Sequence, residues 1–145
     1  MLQPCGKAGK VFLRGTLIAE STQLIKVMET SCPPVYYFPP EDVHTQYLQR
    51  STHKTFCEWK GPATYWHIKI PGNDVIENAA WSYHAPLTDA ADYTPIKNHF
   101  AFYAGLLACA LDNKTVDAQA SLYYGGWVTA EITGPFKGMA GSEDW

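Results

Sequence analysis

The sequence has no run of Lys or Arg, and charged residues make up only 17% of its 145 positions, with a net charge of −3. Proteins that follow a nucleic-acid backbone neutralise phosphates with clustered cations, so no nucleic-acid partner is expected. No apolar run approaches the roughly 18 residues of a membrane span, and the longest lies around Leu106–Leu111. The opening Met1-Leu2-Gln3-Pro4-Cys5-Gly6-Lys7 lacks the apolar core of a secretory signal, so a cytoplasmic protein with no membrane partner is expected. Cys5, Cys32, Cys57 and Cys109 are widely and unevenly spaced, which in this compartment implies reduced thiols. There is no Cys-x-x-Cys or His-x-x-x-His pair, and His53-x-x-x-Cys57 has no second half, so neither a metal site nor a cofactor is expected. Gly-x-Gly-x-x-Gly and the phosphate-loop lysine motif are also missing; Gly125-Gly126-Trp127 lacks that spacing. Ser51 has no Gly-x-Ser-x-Gly context, which excludes a hydrolase nucleophile elbow.

What is abundant is aromatic surface: 14% of residues, with five Trp and nine Tyr. Large rings favour pleated strands and need their polar tips satisfied when buried, so they imply a thick sheet core or a ring-lined concavity. The chain reads as mainly β, an α+β arrangement with one or two short helices. The expected form is a single compact antiparallel β domain over residues 1–145, sandwich- or tent-like, with 126–145 a C-terminal extension packed on it. Val11–Ala19 predicts two strands hinged near Gly15, Gln23–Glu29 a third and Val35–Phe38 a fourth. Pro39-Pro40-Glu41-Asp42 predicts a short helix from about Pro40 to Leu48, with prolines and acids at its start.

Ala63–Ile70 alternates. Thr64, Trp66, Ile68 and Ile70 share one face; Tyr65, His67 and Lys69 share a more polar one. Pro71-Gly72-Asn73-Asp74 turns the chain, and Val75–His84 returns as the antiparallel partner. Ala85–Lys97 is a crossing segment with room for one helical turn. Phe100–Leu107 and Thr115–Ala118 predict strands around the Asp112-Asn113-Lys114 turn, and Trp127–Ile132 the last strand.

The densest chemistry lies in Thr55-Phe56-Cys57-Glu58-Trp59-Lys60-Gly61. Cys57 is the candidate nucleophile; a reactive thiolate needs a nearby cation, which Lys60 or His53 supplies if the segment curls. The competing role is that of a small buried hydrophobe. Lys60 is a point charge for phosphate or carboxylate, and Gly61 lets a backbone approach closely. Phe136-Lys137-Gly138 echoes this pair. Tyr65, His67, Trp81, Tyr83 and Trp127 are rings able to stack on a base, a sugar or a flat heterocycle. Core packing is the competing account of each ring. Glu41 and Asp42 read as helix-start acids rather than bases.

These segments also form an ordered set: Pro34-Val35-Tyr36-Tyr37-Phe38-Pro39-Pro40-Glu41-Asp42-Val43, Ser51, Thr55-x-Cys57-x-x-Lys60-Gly61-x-Ala63-x-Tyr65-Trp66, Ala80-Trp81-x-Tyr83-x-x-Pro86 and Ala101-Phe102-Tyr103. From about Lys10 to Gly105 the chain resembles the domain-of-unknown-function 427 family. The tail from Gly126-Trp127-Val128-Thr129 to Gly134-Pro135-Phe136-Lys137-Gly138 resembles an extension carried by a subset of it. The resemblance implies a small, β-dominated domain and carries a nucleotidyltransferase label. That chemistry needs an Asp-x-Asp or Asp-x-Glu pair on magnesium, and Asp89 and Asp92 have the wrong spacing. Glu58 stands where the family pattern commonly has proline after the cysteine.

Two functions follow as expectations. The first is a small-molecule binding domain for a nucleotide or another anionic ring compound, or a group-transfer enzyme acting on one. Tyr37, Thr55, Tyr65, Trp81 and Tyr83 would bind the ligand, and Cys57 and Lys60 would act on it. The alternative is a non-enzymatic scaffold that holds a protein through exposed Trp59 and the Gly-Trp tail.

Overall fold

The architecture, described from a computed structural model over residues 2–29, 33–89, 91–118 and 126–129, is built almost entirely of antiparallel strands. In chain order they are β1 (Leu2–Pro4), β2 (Gly9–Leu13), β3 (Thr16–Ser21), β4 (Ile25–Val27) and β5 (Val35–Tyr37). There follow β6 (Leu48–Cys57), β7 (Gly61–Ile68), β8 (Ile76–Tyr83), β9 (Phe100–Phe102) and β10 (Ala108–Leu111). The last are β11 (Lys114–Thr115), β12 (Asp117–Ala118) and β13 (Trp127–Val128). One sheet has the order β1-β4-β5, a second β11-β10-β2-β3, a third β6-β7-β8-β9, and β12 pairs with β13. No helix among the described residues is long and apolar enough to cross a membrane.

Turn chemistry sets the tight hairpins. Arg14 and Gly15 both take positive φ between β2 and β3, as do Asp112 and Asn113 between β10 and β11. Paired left-handed residues match the right-handed twist of the flanking strands. The second hairpin therefore starts from Ala108–Leu111, not from the Phe100–Leu107 run, which ends as a strand at Phe102.

The helix expected over Pro40–Leu48 resolves into two 3-10 turns, Pro40–Asp42 and Thr45–Tyr47. Val43 between them is captured by β3: it bridges Ala19, and the His44 amide donates to the Ile18 carbonyl at 2.8 Å. Burying Val43 in sheet geometry outweighs continuing a helix of so few turns. Asp42 still acts locally, accepting a 2.6 Å hydrogen bond from the Ser21 hydroxyl.

The β6-β7-β8-β9 sheet divides the interior. One face carries Ile68, Ala80, Phe100 and Phe102 into a core shared with Val11, Ile18 and Leu24. The other face carries Ala63, Tyr65, Trp81, Tyr83 and Ala101 into a second core with Val27, Tyr37, Tyr93 and Ile96. β5 obeys the same two-residue period: Tyr36 and Phe38 enter the first core and Tyr37 the second. Phe38 and Phe100 exchange backbone hydrogen bonds of 2.8 and 2.9 Å, which stitches β5 to β9. The face read as more polar from Tyr65, His67 and Lys69 is thus an interior surface at Tyr65.

Candidate functional site

Ten-residue β6 and β7 form the hairpin that holds the sequence's densest chemistry. Cys57 pairs with Gly61 and Thr55 with Ala63, leaving Glu58, Trp59 and Lys60 in the turn. Trp59 is half exposed, whereas the Lys60 side chain folds inward and is only 7% exposed. Gly61 is required by the backbone: its φ is +105°, and a Cβ there would meet the Ala85 carbonyl oxygen at 3.0 Å. The backbone that approaches Gly61 is this chain's own crossing segment, tied down by a 2.9 Å bond from the Leu87 amide to the Lys60 carbonyl. Gly61→Ala is expected to cost about 2 kcal/mol, measured by urea unfolding, from conformational strain at a position that tolerates no side chain.

Inside the hairpin, the Lys60 ammonium pairs with the Glu29 carboxylate and lies 3.8 Å from the Cys57 sulfur. It also sits 5.7 Å from the centre of the Tyr93 ring, a cation–π distance. Burial acts to lower the Lys60 pKa, but the attraction of Glu29 and the hydrogen bond to it, with Cys57 and Tyr93 adding, raise it above 10.5. Lys60 is therefore a fixed cation and not an amine nucleophile near neutral pH. It suits recognition of an anion.

Around this cation stand phenols. Tyr37 is fully buried, with its ring 6.4 Å from that of Tyr83; Tyr65, Trp81, Tyr83 and Tyr93 are each at most 7% exposed. The Tyr37 hydroxyl has no hydrogen-bond partner among the described residues, although the neighbouring Trp81 indole acts to lower its pKa. Burial pushes the Tyr37 and Tyr83 phenols far above their ordinary value, so both remain neutral donors. Tyr65 differs: its hydroxyl and the Thr55 hydroxyl are 3.1 Å apart, and the His53 ring lies 4.5 Å away at a steep angle.

Tyr37, Tyr65, Trp81 and Tyr83 share one apolar cluster, and Cys57 packs against it. Lys60 reaches the group through Cys57 and Thr55 through Tyr65. Of the other rings proposed from sequence, His67 is structural, its Nδ1 accepting the Asn78 amide at 3.0 Å. Trp127 belongs to the opposite core. His53 does not approach the thiol by a curl, because β6 is extended and places its ring on Tyr65. Lys137 lies outside the described residues. Among those described, no group of three His, Cys, Asp or Glu could hold a metal ion.

Three contributors escaped sequence reasoning. Glu29 is 31 residues from Lys60, at the end of a run read only as a strand, and no spacing rule links them. Tyr93 lies in the crossing segment, where nothing marks a ring that will face inward. Tyr103, 4.5 Å from Trp81, completes the stack from just beyond β9.

Fold and side chains together define a small antiparallel β protein with a buried amine, a half-buried carboxylate and a half-buried thiol beside a cluster of buried phenols. The chain belongs to the domain of unknown function (DUF427) family, whose pattern matches residues 1–117. That span contains every site residue described above. A search of curated proteins found no match.

Proposed function

We propose that this domain binds a small anionic molecule carrying a flat ring, with Lys60 as the anion-binding cation. The observation that carries this reading is the asymmetry of the ion pair. The Lys60 side chain is 7% exposed, whereas that of Glu29, its carboxylate partner, is 33% exposed. Buried ion pairs are weak contributors to stability, and buried charge in a cluster of polar tips marks functional candidates. Glu29 occupies the position that a ligand's carboxylate or phosphate would take, and it can turn to water when displaced. Tyr37 offers a donor that nothing among the described residues uses, and the neighbouring rings supply faces for a heterocycle. Thr55 and Cys57 border the same place. Among the described residues, the free thiols of Cys5, Cys57 and Cys109 fit a reducing cytoplasm.

A thermal-shift series tests the proposal. Nucleotides and aromatic acids are compared with uncharged ring analogues, on the wild type, Lys60→Met and Tyr37→Phe. At about a hundredfold excess over Kd, a ligand of the native state adds about 2.7 kcal/mol of stability. The expected result is a shift from an anionic ring compound that disappears in Lys60→Met. Tyr37→Phe alone is expected to raise stability by about 1 kcal/mol, because it removes an unsatisfied buried hydroxyl, while weakening the ligand's shift. If no anionic compound stabilises the wild type more than Lys60→Met, the proposal fails.

A second reading rests on a separate observation: Phe56 is 66% and Trp59 50% exposed beside the hairpin turn. Such rings favour a protein-facing surface, and a failed ligand screen would turn attention to them. Trp127 does not join that surface, because it is buried.

A further inference from the structure

We propose that Cys57 is a site of reversible oxidation by hydroperoxides, with Lys60 and Tyr37 placed to hold the oxidised sulfur. The inference is independent of the anionic ligand.

The three described thiols differ sharply in surroundings. Cys109 is 2% exposed, its thiol is pushed up to about 12 by burial, and its sulfur faces the Leu107 carbonyl at 3.9 Å. Cys5 is half-buried, like Cys57, and packs against the first hydrophobic core. Cys57 is half-buried at the end of β6, with the Lys60 ammonium 3.8 Å from its sulfur. Peroxide-reactive cysteines are those that a nearby cation supports as thiolates and that solvent can reach. A second feature lies in the cluster against which Cys57 packs: the Tyr37 hydroxyl, on a fully buried side chain, has no hydrogen-bond partner among the described residues.

In the proposed step the sulfur attacks the terminal oxygen of a hydroperoxide, ROOH. The S–O bond forms as the O–O bond breaks, and the departing alkoxide takes up the proton released by the thiol. The sum is Cys57–SH + ROOH → Cys57–SOH + ROH, with sulfur losing two electrons and the peroxide gaining them. Lys60 offsets negative charge on the attacking sulfur and on the leaving oxygen. The new sulfenic oxygen can accept from both the Lys60 ammonium and the Tyr37 hydroxyl, giving the latter its missing partner. Lys60 does not condense with the sulfenic acid, because Glu29 keeps it protonated and without a free electron pair. A small thiol, RSH, reverses the oxidation by forming a mixed disulfide and water; a second thiol then releases Cys57–SH.

The test treats the full chain with hydrogen peroxide near neutral pH, traps sulfenic acid with dimedone and locates adducts by peptide mass spectrometry. Cys57 is expected to be trapped about tenfold faster than Cys5 or Cys109, a comparison within the wild type that needs no variant. Lys60→Met is expected to slow trapping at Cys57 by about tenfold. Tyr37→Phe is expected to leave the formation rate unchanged while increasing further oxidation to sulfinic acid, because it removes one hydrogen bond to the product. Equal trapping of Cys5 and Cys57 would overturn the proposal, as would an unaltered Cys57 rate in folded Lys60→Met.

Discussion

Replacing Trp127 by alanine is expected to remove about 3–5 kcal/mol of stability, the range for emptying a large aromatic from a packed core. The ring is 1% exposed and packs against Tyr36 and Phe38, with centroids 5.3 and 6.0 Å away. Its indole N–H donates to the Phe102 carbonyl at 2.9 Å, so truncation also strands a buried acceptor on β9. Its backbone amide donates to the Pro34 carbonyl at 2.9 Å, tying the segment to the approach of β5. For a chain of this length the loss corresponds to a fall in Tm of about 10–16 °C. Calorimetry of Trp127→Ala beside Trp127→Phe checks it. Phenylalanine should recover much of the packing but not the hydrogen bond. A fall below about 1 kcal/mol for the alanine variant would mean that Trp127 is not part of the core. The matched family pattern ends at residue 117, so this predicts that a residue beyond it is structurally required.

Alkali should unfold the protein steeply. The folded state holds the phenols of Tyr37 and Tyr83 far above their ordinary value of 10.0 and the Cys109 thiol at about 12 instead of 9.0, in each case mainly through burial. Lys60 is held above 10.5 by Glu29 despite its burial. All four shifts are upward, so each group's contribution is complete below its unfolded value and is lost as pH rises towards its folded one. In that window the unfolded chain has released protons that the folded chain still binds, and stability must fall. Each group contributes a slope of about 1.4 kcal/mol per pH unit. Cys109 begins the decline near pH 9, and the two tyrosines steepen it above 10, to about 4 kcal/mol per unit for the three. The loss reaches about 10 kcal/mol by pH 12, comparable to a total stability of about 5–15 kcal/mol, so unfolding should set in between about pH 11 and 13. Urea unfolding followed by far-UV circular dichroism from pH 8 to 11 measures the slope. Tyr83→Phe should flatten it by about 1.4 kcal/mol per unit above pH 10; an unchanged slope would exclude Tyr83 as a source.

The first prediction draws on one core and the second on both, through Cys109 in the first and Tyr37 and Tyr83 in the other, and the strands between them explain how much was legible beforehand. β5 and β7 could be read from residue types alone, because alternation in a strand assigns neighbours to opposite faces wherever the strand ends up. Tyr37 was therefore separable from Tyr36 and Phe38, and Tyr65 from Trp66. The turn at Arg14-Gly15 was equally local. β6 was less visible: Arg50, Ser51, Thr52, His53 and Lys54 carry little apolar signal, and the register with β7 is interrupted between Arg50 and Lys54. The short helix after Pro40 looked sound locally and yielded to a bridge with Ala19, a partner far away in sequence.

By itself, the sequence determined the β class, the alternation that sorts rings between two faces, and the thiol–amine–ring content of Thr55 to Gly61. Those properties follow from side-chain chemistry and from periods of a few residues. Only the tertiary structure decided that Glu29 neutralises Lys60, that Tyr93 covers it, and that Trp127 serves the opposite core. Each of those outcomes depends on which distant segment comes to lie against the sheet. Long-range packing settles that choice through buried area and paired charge, and no local pattern records it.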